Sequence, residues 1–309
     1  MLPSFYLRYA NQQVGIHIYL SLKMNLLATD WVDPTEIEMP FFVKYFDPEV
    51  YVREITVKWT RNGIEKEMEG VEFLLPDRRS KLLWCPWPDF IPIPAKSFTS
   101  QYHEIKHPRG AGLIRQPRRT RCYVHSYKYS GVPHVLEPNV PADLQNLLEE
   151  TTAIYNVKDA NKYGTPGCLV NEYTTKRHCI HAHGDDEKQF GQLRDVVCWI
   201  EGATRRVIIR DNQEKIILNV EMPQGLYVMK GRRFQKTYTH EIPRELDTVF
   251  TSLQSLLPEN IKELESLDQA DWLASHPKYV QKHADNNLYE RYKKWAVSRT
   301  SYTIRYFLK

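Results

Sequence analysis

Residues 171–187 read NEYTTKRHCIHAHGDDE. Three histidines, one cysteine and four acids crowd into this stretch. On an extended strand, side chains two positions apart share a face. Cys179, His181, His183 and Asp185 therefore have one parity, and two chelation schemes compete. A zinc site would take Cys179, His181 and His183, since thiolate and imidazole suit that ion. The other scheme takes His183 and Asp185 with a second histidine from elsewhere.

Two imidazoles and one carboxylate on one face leave coordination positions open, the arrangement of a non-haem Fe(II) oxygenase. Downstream, YTHEIP (238–243) supplies His240 behind the apolar run GLYVMKG (225–231). The segment between is strand-rich. VVCWIEG (196–202), RRVIIR (205–210) and KIILNVEM (215–222) are short β-type runs broken by Gly, Asp-Asn and Pro-Gln-Gly. Upstream, VPADLQNLLEETTAIY (140–155) has apolar residues at helical spacing, with Leu144, Leu147, Leu148 and Ile154 on one face. Short, closely spaced strands behind one helix predict an antiparallel sandwich or barrel able to hold a small ligand between its faces.

The C-terminal RTSYTIRYF (299–307) alternates as a strand does. Arg299, Ser301, Thr303 and Arg305 share a parity, so two guanidiniums and two hydroxyls point one way. Arginine pairs with carboxylates through two parallel N–H donors, and two such groups suit a dicarboxylate. Toward the N-terminus, VYVREITVKW (50–59) alternates as a half-buried strand, and Asn62-Gly63 supplies the positive φ angles of a tight hairpin. Prolines at 86, 88, 92 and 94 within LLWCPWPDFIPIPAK (82–96) predict a linker or an extended crossing segment. We place a soft boundary there. Residues 246–298 read as helical, with Pro258 and Pro277 as breaks.

Composition limits the function classes. The chain has 309 residues, 42% hydrophobic and 12% aromatic, enough for a substantial core. A net charge of +4 is too mild to indicate nucleic-acid binding by itself. Five cysteines without C-x-x-C spacing argue against a disulfide framework or a four-cysteine zinc site. No apolar run is long enough to cross a bilayer, and the N-terminal stretch lacks a signal-peptide core. The expectation is a soluble cytoplasmic or nuclear protein, not a secreted one.

Taken in order, these residues resemble the AlkB family of Fe(II)/2-oxoglutarate-dependent dioxygenases. The family pattern is N-x-Y, then H-x-D, then a distal H, then R-x-[NS]-x-T-x-R. It is matched by Asn171 and Tyr173, by His183 and Asp185, by His240, and by Arg299 through Arg305. EGATRR (201–206) and GLYVMKGRRFQKTYTHEIP (225–243) are similar to intermediate family signatures. PRRTRCYVHSYKYSG (117–131) is similar to the nucleotide lid. Together the motifs cover residues 115–245 and 299–307. Three departures stand out. The family's Gly after N-x-Y is missing, with Lys176 near its place. The connection from His240 to Arg299 is long. Residues 1–95 have no counterpart.

The resemblance implies an α+β chain with a double-stranded β-helix (jelly-roll, cupin-like) core in residues 96–309. It also implies a lid near 115–131; the residues' own patterns give a helical insertion near 246–298 and an N-terminal mostly-β extension of unknown role in 1–95. It implies His183, Asp185 and His240 as the Fe(II) ligands, which favours His183 over His181. His181 and Cys179 then become neighbouring structural groups. Asn171, Tyr173, Arg299, Ser301, Thr303 and Arg305 are implied to hold 2-oxoglutarate. Arg299 would take the distal carboxylate, and Arg305 would sit at the keto-acid end or brace a metal ligand. Arg118, Arg119, Tyr123, Tyr127, Tyr129 and Glu187 are implied to meet the substrate, with cations along phosphates, aromatics on an extruded base, and an acid facing it. The implied activity is O2-consuming oxidative demethylation of N-alkylated bases in DNA or RNA, as repair or RNA demethylation, releasing formaldehyde, succinate and CO2. The competing readings are the same chemistry on a protein side chain, and a nucleic-acid binder without turnover.

Overall fold

The computed structural model describes residues 19–20, 24–94, 101–106, 113–126, 128–129, 132–133, 136–156, 164–173, 178–185, 195–244 and 299–307. The segment expected to be a helical insertion, 246–298, lies outside the described residues. So do Tyr127 and Glu187, and Tyr129 is described only as strand backbone.

In chain order the strands begin with β1 (Tyr19–Leu20), β2 (Asn25–Ala28), β3 (Val43–Phe46), β4 (Tyr51–Arg61), β5 (Ile64–Leu74) and β6 (Lys81–Pro86). Next come β7 (Gln101–Lys106), β8 (Leu113–Tyr123), β9 (Lys128–Tyr129), β10 (Val132–Pro133), β11 (Leu136–Glu137) and helix α1 (Ala142–Ile154). They are followed by β12 (Thr165–Tyr173), β13 (Ile180–His183), β14 (Val196–Gly202), β15 (Arg205–Asp211), β16 (Ile216–Met222) and β17 (Gly225–Lys230). Helix α2 (Gly231–Thr237), β18 (Tyr238–Ile242) and β19 (Arg299–Phe307) complete the described chain.

Among the described residues the protein is mostly β, with two large sheets and two α-helices. One sheet has 12 strands in the order β1-β2-β4-β5-β6-β17-β14-β19-β12-β8-β11, with β7 also on β8. The other has five, ordered β13-β18-β15-β16-β3. Pairing is antiparallel except for β11 on β8. Neither sheet closes into a barrel among the described residues.

Local chemistry explains the elements. Asn62 and Gly63 have φ of 52° and 76°, the left-handed pair that a two-residue turn between twisted strands requires. The apolar stripe of α1 buries Leu144, Leu147, Leu148 and Ile154. Of the two readings of residues 82–96, linker or extended crossing segment, the first part takes the second. Leu82 to Cys85 lie in β6, between β5 and β17. Pro86, which has no N–H, stands at the last pair of that ladder, opposite Gly225. Likewise β19 is not an edge strand but lies between β12 and β14.

Two cores follow from the alternation. One face of the large sheet packs under α1 and includes Val170, Val197, Trp199, Val228, Tyr302, Ile304 and Tyr306. The opposite face packs against the small sheet: Val196, Cys198, Ile200, Tyr227 and Met229 meet Val207, Ile209, Leu218 and Val220. The candidate site lies at the edge of this second layer.

Candidate metal centre and adjoining cavity

β13 and β18 pair so that His183 stands directly opposite His240. Between Ile180 and His183 the register slips. Such an irregularity re-aims side chains beside functional sites. Here His183 is drawn inward while His181 is exposed. The two imidazole centroids are 4.2 Å apart. Asp185 follows after the single residue Gly184. A Cβ at Gly184 would run into the carbonyl oxygen of Gln235 on α2, so the position between the two donors needs glycine. Gln235 also holds the turn from its side chain, where Oε1 accepts the Asp185 N–H at 3.1 Å.

The donor atoms of His183, Asp185 and His240 all lie within 4.8 Å of one another. Nε2 of His183 is 3.6 Å from Asp185 Oδ1, and Nε2 of His240 is 3.7 Å from Oδ2. Nδ1 of His183 donates to the His181 carbonyl at 2.8 Å. A carbonyl can only accept, so Nδ1 carries the proton and the Nε2 lone pair faces the carboxylate. Burial and the neighbouring His183 push His240 down to about 3. Burial also lowers His183. For Asp185, burial works against ionisation, yet Arg305, His183 and His240 outweigh it and hold the carboxyl well below the usual carboxylate range. At neutral pH the imidazoles are neutral and the carboxylate is ionised. The His–Asp contacts are therefore not salt bridges but a donor set in the protonation states a divalent cation requires. His183, Asp185 and His240 could hold a metal. Cys179 is buried and is not in this group among the described residues.

A cavity of about 60 Å³ adjoins the triad. The large sheet lines it with Asn171, Tyr173, Cys198, Tyr227, Arg299, Ser301 and Thr303, and the small sheet with Ile180, Val207 and Ile242. Alternation explains the set, because each residue sits on the inward parity of its strand. Arg299 Nη1 donates to the Met222 carbonyl at 2.8 Å. Its Nε and the Tyr227 hydroxyl are buried with no hydrogen-bond partner among the described residues. Burial pushes the Arg299 guanidinium down to about 10, which still leaves it charged at neutral pH. Both atoms could donate to a polar ligand in the cavity. Arg305 reaches past the cavity to Asp185, with Nη2 2.5 Å from Oδ2. Of the partners expected for it, the contact it makes is with Asp185 of the candidate triad. Cys198 Sγ is 3.6 Å from Thr303 Oγ1, and burial pushes its thiol up to about 11.

The expected substrate contacts divide. Arg118 is not on a lid surface: it is buried and lines the cavity, its Nε donating to Asn171 Oδ1 at 2.7 Å. Tyr123 is buried under α1, within the core of the other sheet face. The reason is parity along β8, which sends Arg118 toward Asn171 and sends Arg119, Arg121 and Tyr123 to the opposite side. Arg119 is half-buried. Sequence reasoning placed Arg118 with the substrate contacts and not beside Asn171. Its offset from Tyr123 by an odd number of positions was the available signal.

No protein-family model matches the chain, and no curated protein does. Solved structures do match. One is the structure of OsALKBH1, with a TM-score of 0.34 and 15% identity over 68% of this chain and 86% of that one. No described helix is long and apolar enough to cross a membrane.

Proposed function

We propose that the chain is an Fe(II)/2-oxoglutarate-dependent dioxygenase of AlkB type that demethylates N-alkylated bases in DNA or RNA, on a jelly-roll core formed by the two facing sheets. The observation that carries the reading is the group of buried Asp185 with half-buried His183 and His240, beside a cavity whose polar wall is cationic. When bound, Fe(II) with 2-oxoglutarate and O2 supplies hydroxylation of an unactivated C–H bond, with loss of CO2 and succinate, and formaldehyde leaves a hydroxylated N-methyl group.

The chain's residues do the holding. His183 and His240 offer Nε2, and Asp185 offers a carboxylate fixed by Arg305 and by the Gln235-anchored turn. Arg299 and the Tyr227 hydroxyl present donors to a carboxylate at the far end of the cavity. Arg118 holds Asn171 Oδ1, which leaves the Asn171 amide nitrogen for Thr303 Oγ1 at 3.5 Å and for the ligand. The aliphatic wall of Ile180, Val207 and Ile242 excludes water.

The test is anaerobic loading with Fe(II), 2-oxoglutarate and a panel of methylated oligonucleotides, followed by admission of O2. Formaldehyde and loss of one methyl mass, both abolished in His183→Ala, are expected. Succinate without base repair would redirect the reading to a protein side chain. Absence of succinate despite bound iron would leave a nucleic-acid binder.

A further inference from the structure

We infer that Arg205 is a positioning residue for the metal centre: its guanidinium ties together the ends of the strands that carry His183 and His240. The inference rests on the proposed function only in taking His183, Asp185 and His240 as metal ligands.

Arg205 opens β15 and is 1% exposed. Its Nη2 donates to two carbonyls, that of His178 at 2.9 Å and that of Pro243 at 3.2 Å. His178 lies just before β13 and Pro243 just after β18. Those two strands face each other at His183 and His240. Among the described residues β15 stays paired to β16 at that end, through Arg205↔Met222, but its pairing to β18 does not reach it. The β15–β18 ladder runs from Asp211↔Tyr238 to Ile208↔Glu241 and stops there. On β13 the slip between Ile180 and His183 leaves only Ile180↔Ile242 beyond the histidine pair. Pro243 has no N–H with which to extend either ladder. One buried guanidinium nitrogen therefore serves two carbonyls where the β15–β18 pairing has run out. It links β15, β18 and the approach to β13 on the side from which the histidines are held.

The same guanidinium carbon lies 5.9 Å from the centre of the Tyr173 ring, which lines the cavity. Arg205 thus touches the supports of the triad and the wall of the adjoining pocket, without lying among the donors itself. Its neighbour Arg206 is only half-buried, as strand alternation requires.

Groups that orient metal ligands from behind typically change metal affinity by roughly ten- to a hundredfold when lost. The experiment is titration of the full-length protein with Co(II), following the visible ligand-field band. Wild type is expected to bind one Co(II), and His183→Ala to lose it. If wild type shows no band, the metal reading itself fails, independently of Arg205. With wild-type binding in hand, Arg205→Met is expected to weaken Co(II) by roughly ten- to a hundredfold and to shift the band. Arg205→Lys, whose ammonium can donate to both carbonyls, should recover most of the affinity. A purely structural role would lower the melting temperature and leave the dissociation constant and the band unchanged. Should Arg205→Met not fold, Arg205→Gln decides, because its shorter amide serves one carbonyl at best. Wild-type affinity and band in whichever of these folds overturns the inference. So does failure of both to fold, since a residue that only positions ligands is dispensable for the sheet.

Discussion

Asp185 meets His183, His240 and Arg305 through its carboxylate and Gln235 through its N–H. Asp185→Asn removes the charge that two neutral imidazoles need to retain a dication, and it leaves the Arg305 guanidinium beside a neutral amide. We expect Co(II) or Mn(II) binding to fall by more than about a hundredfold, read by calorimetric titration. Binding within a fewfold of wild type would remove Asp185 from the ligand set. Gly184→Ala tests the turn instead of the donor. The added methyl meets the Gln235 carbonyl, and overpacking of this kind costs about 1–3 kcal/mol, measurable by urea denaturation. Arg299→Met should weaken 2-oxoglutarate by roughly tenfold to a hundredfold, the equivalent of a charge-assisted hydrogen bond of about 1.5–3 kcal/mol. Metal affinity should change little. At this scale much was legible. The shared parity of Arg299, Ser301 and Thr303 follows from a two-residue repeat, whereas the expected common face of Cys179, His181, His183 and Asp185 does not form: the register slips before His183, His181 is exposed, and Asp185 lies beyond the end of β13. Which of its two expected places Arg305 takes was not legible, because its contact with Asp185 joins a strand of the large sheet to the turn after β13 and depends on how the sheets stack.

The strands β4, β5, β6 and β17 share a buried charge cluster that fixes how they respond to acid. Glu72 is fully buried on β5. Its Oε2 accepts from Arg53 Nε at 2.9 Å, and its Oε1 accepts from Lys230 Nζ at 2.7 Å. Burial alone would raise Glu72, but Lys230, Lys81 and Arg53 outweigh it and lower it from its ordinary 4.5. A carboxyl depressed in the folded state stabilises fully above its unfolded value and loses that contribution as pH falls. Stability should therefore be flat above about pH 5 and drop below about pH 4.5. Glu72→Gln should flatten the acid limb and, by stranding buried Arg53 beside the half-buried Lys230 and Lys81, cost about 3–5 kcal/mol at pH 7. An unchanged acid limb in the variant would show that the cluster does not govern it. This cluster is invisible in sequence, since Arg53, Glu72, Lys81 and Lys230 are brought together only by strand order. Element type was easier to read than element partnership. The hairpin at Asn62-Gly63 and the stripe of α1 announce themselves locally, whereas the central place of β19 depends on neighbours far away in the chain.

Across the whole molecule, β6 joins the strands of the first ninety-odd residues to the rest through six register pairs with β17, from Lys81↔Lys230 to Gly225↔Pro86. Deleting residues 1–95 should therefore expose the length of β17 and yield insoluble protein, because an uncovered apolar strand edge recruits other chains. A soluble, folded product with native circular dichroism would show that the seam is dispensable. The prolines that suggested a boundary misled only in part. They speak about single backbone donors, and a strand tolerates their loss at its final pair. The buried cations of the interior carry a last consequence. Around the cavity, among the described residues, the carboxylates of Asp185 and Glu241 stand against the guanidiniums of Arg118, Arg299 and Arg305. A divalent ion entering alone makes that region more positive still, whereas an organic dianion entering with it restores the balance. Each should therefore tighten the hold on the other by one and the same factor, as thermodynamic reciprocity demands. The protein would then release a metal readily when its small acid is scarce and retain it when the acid is plentiful.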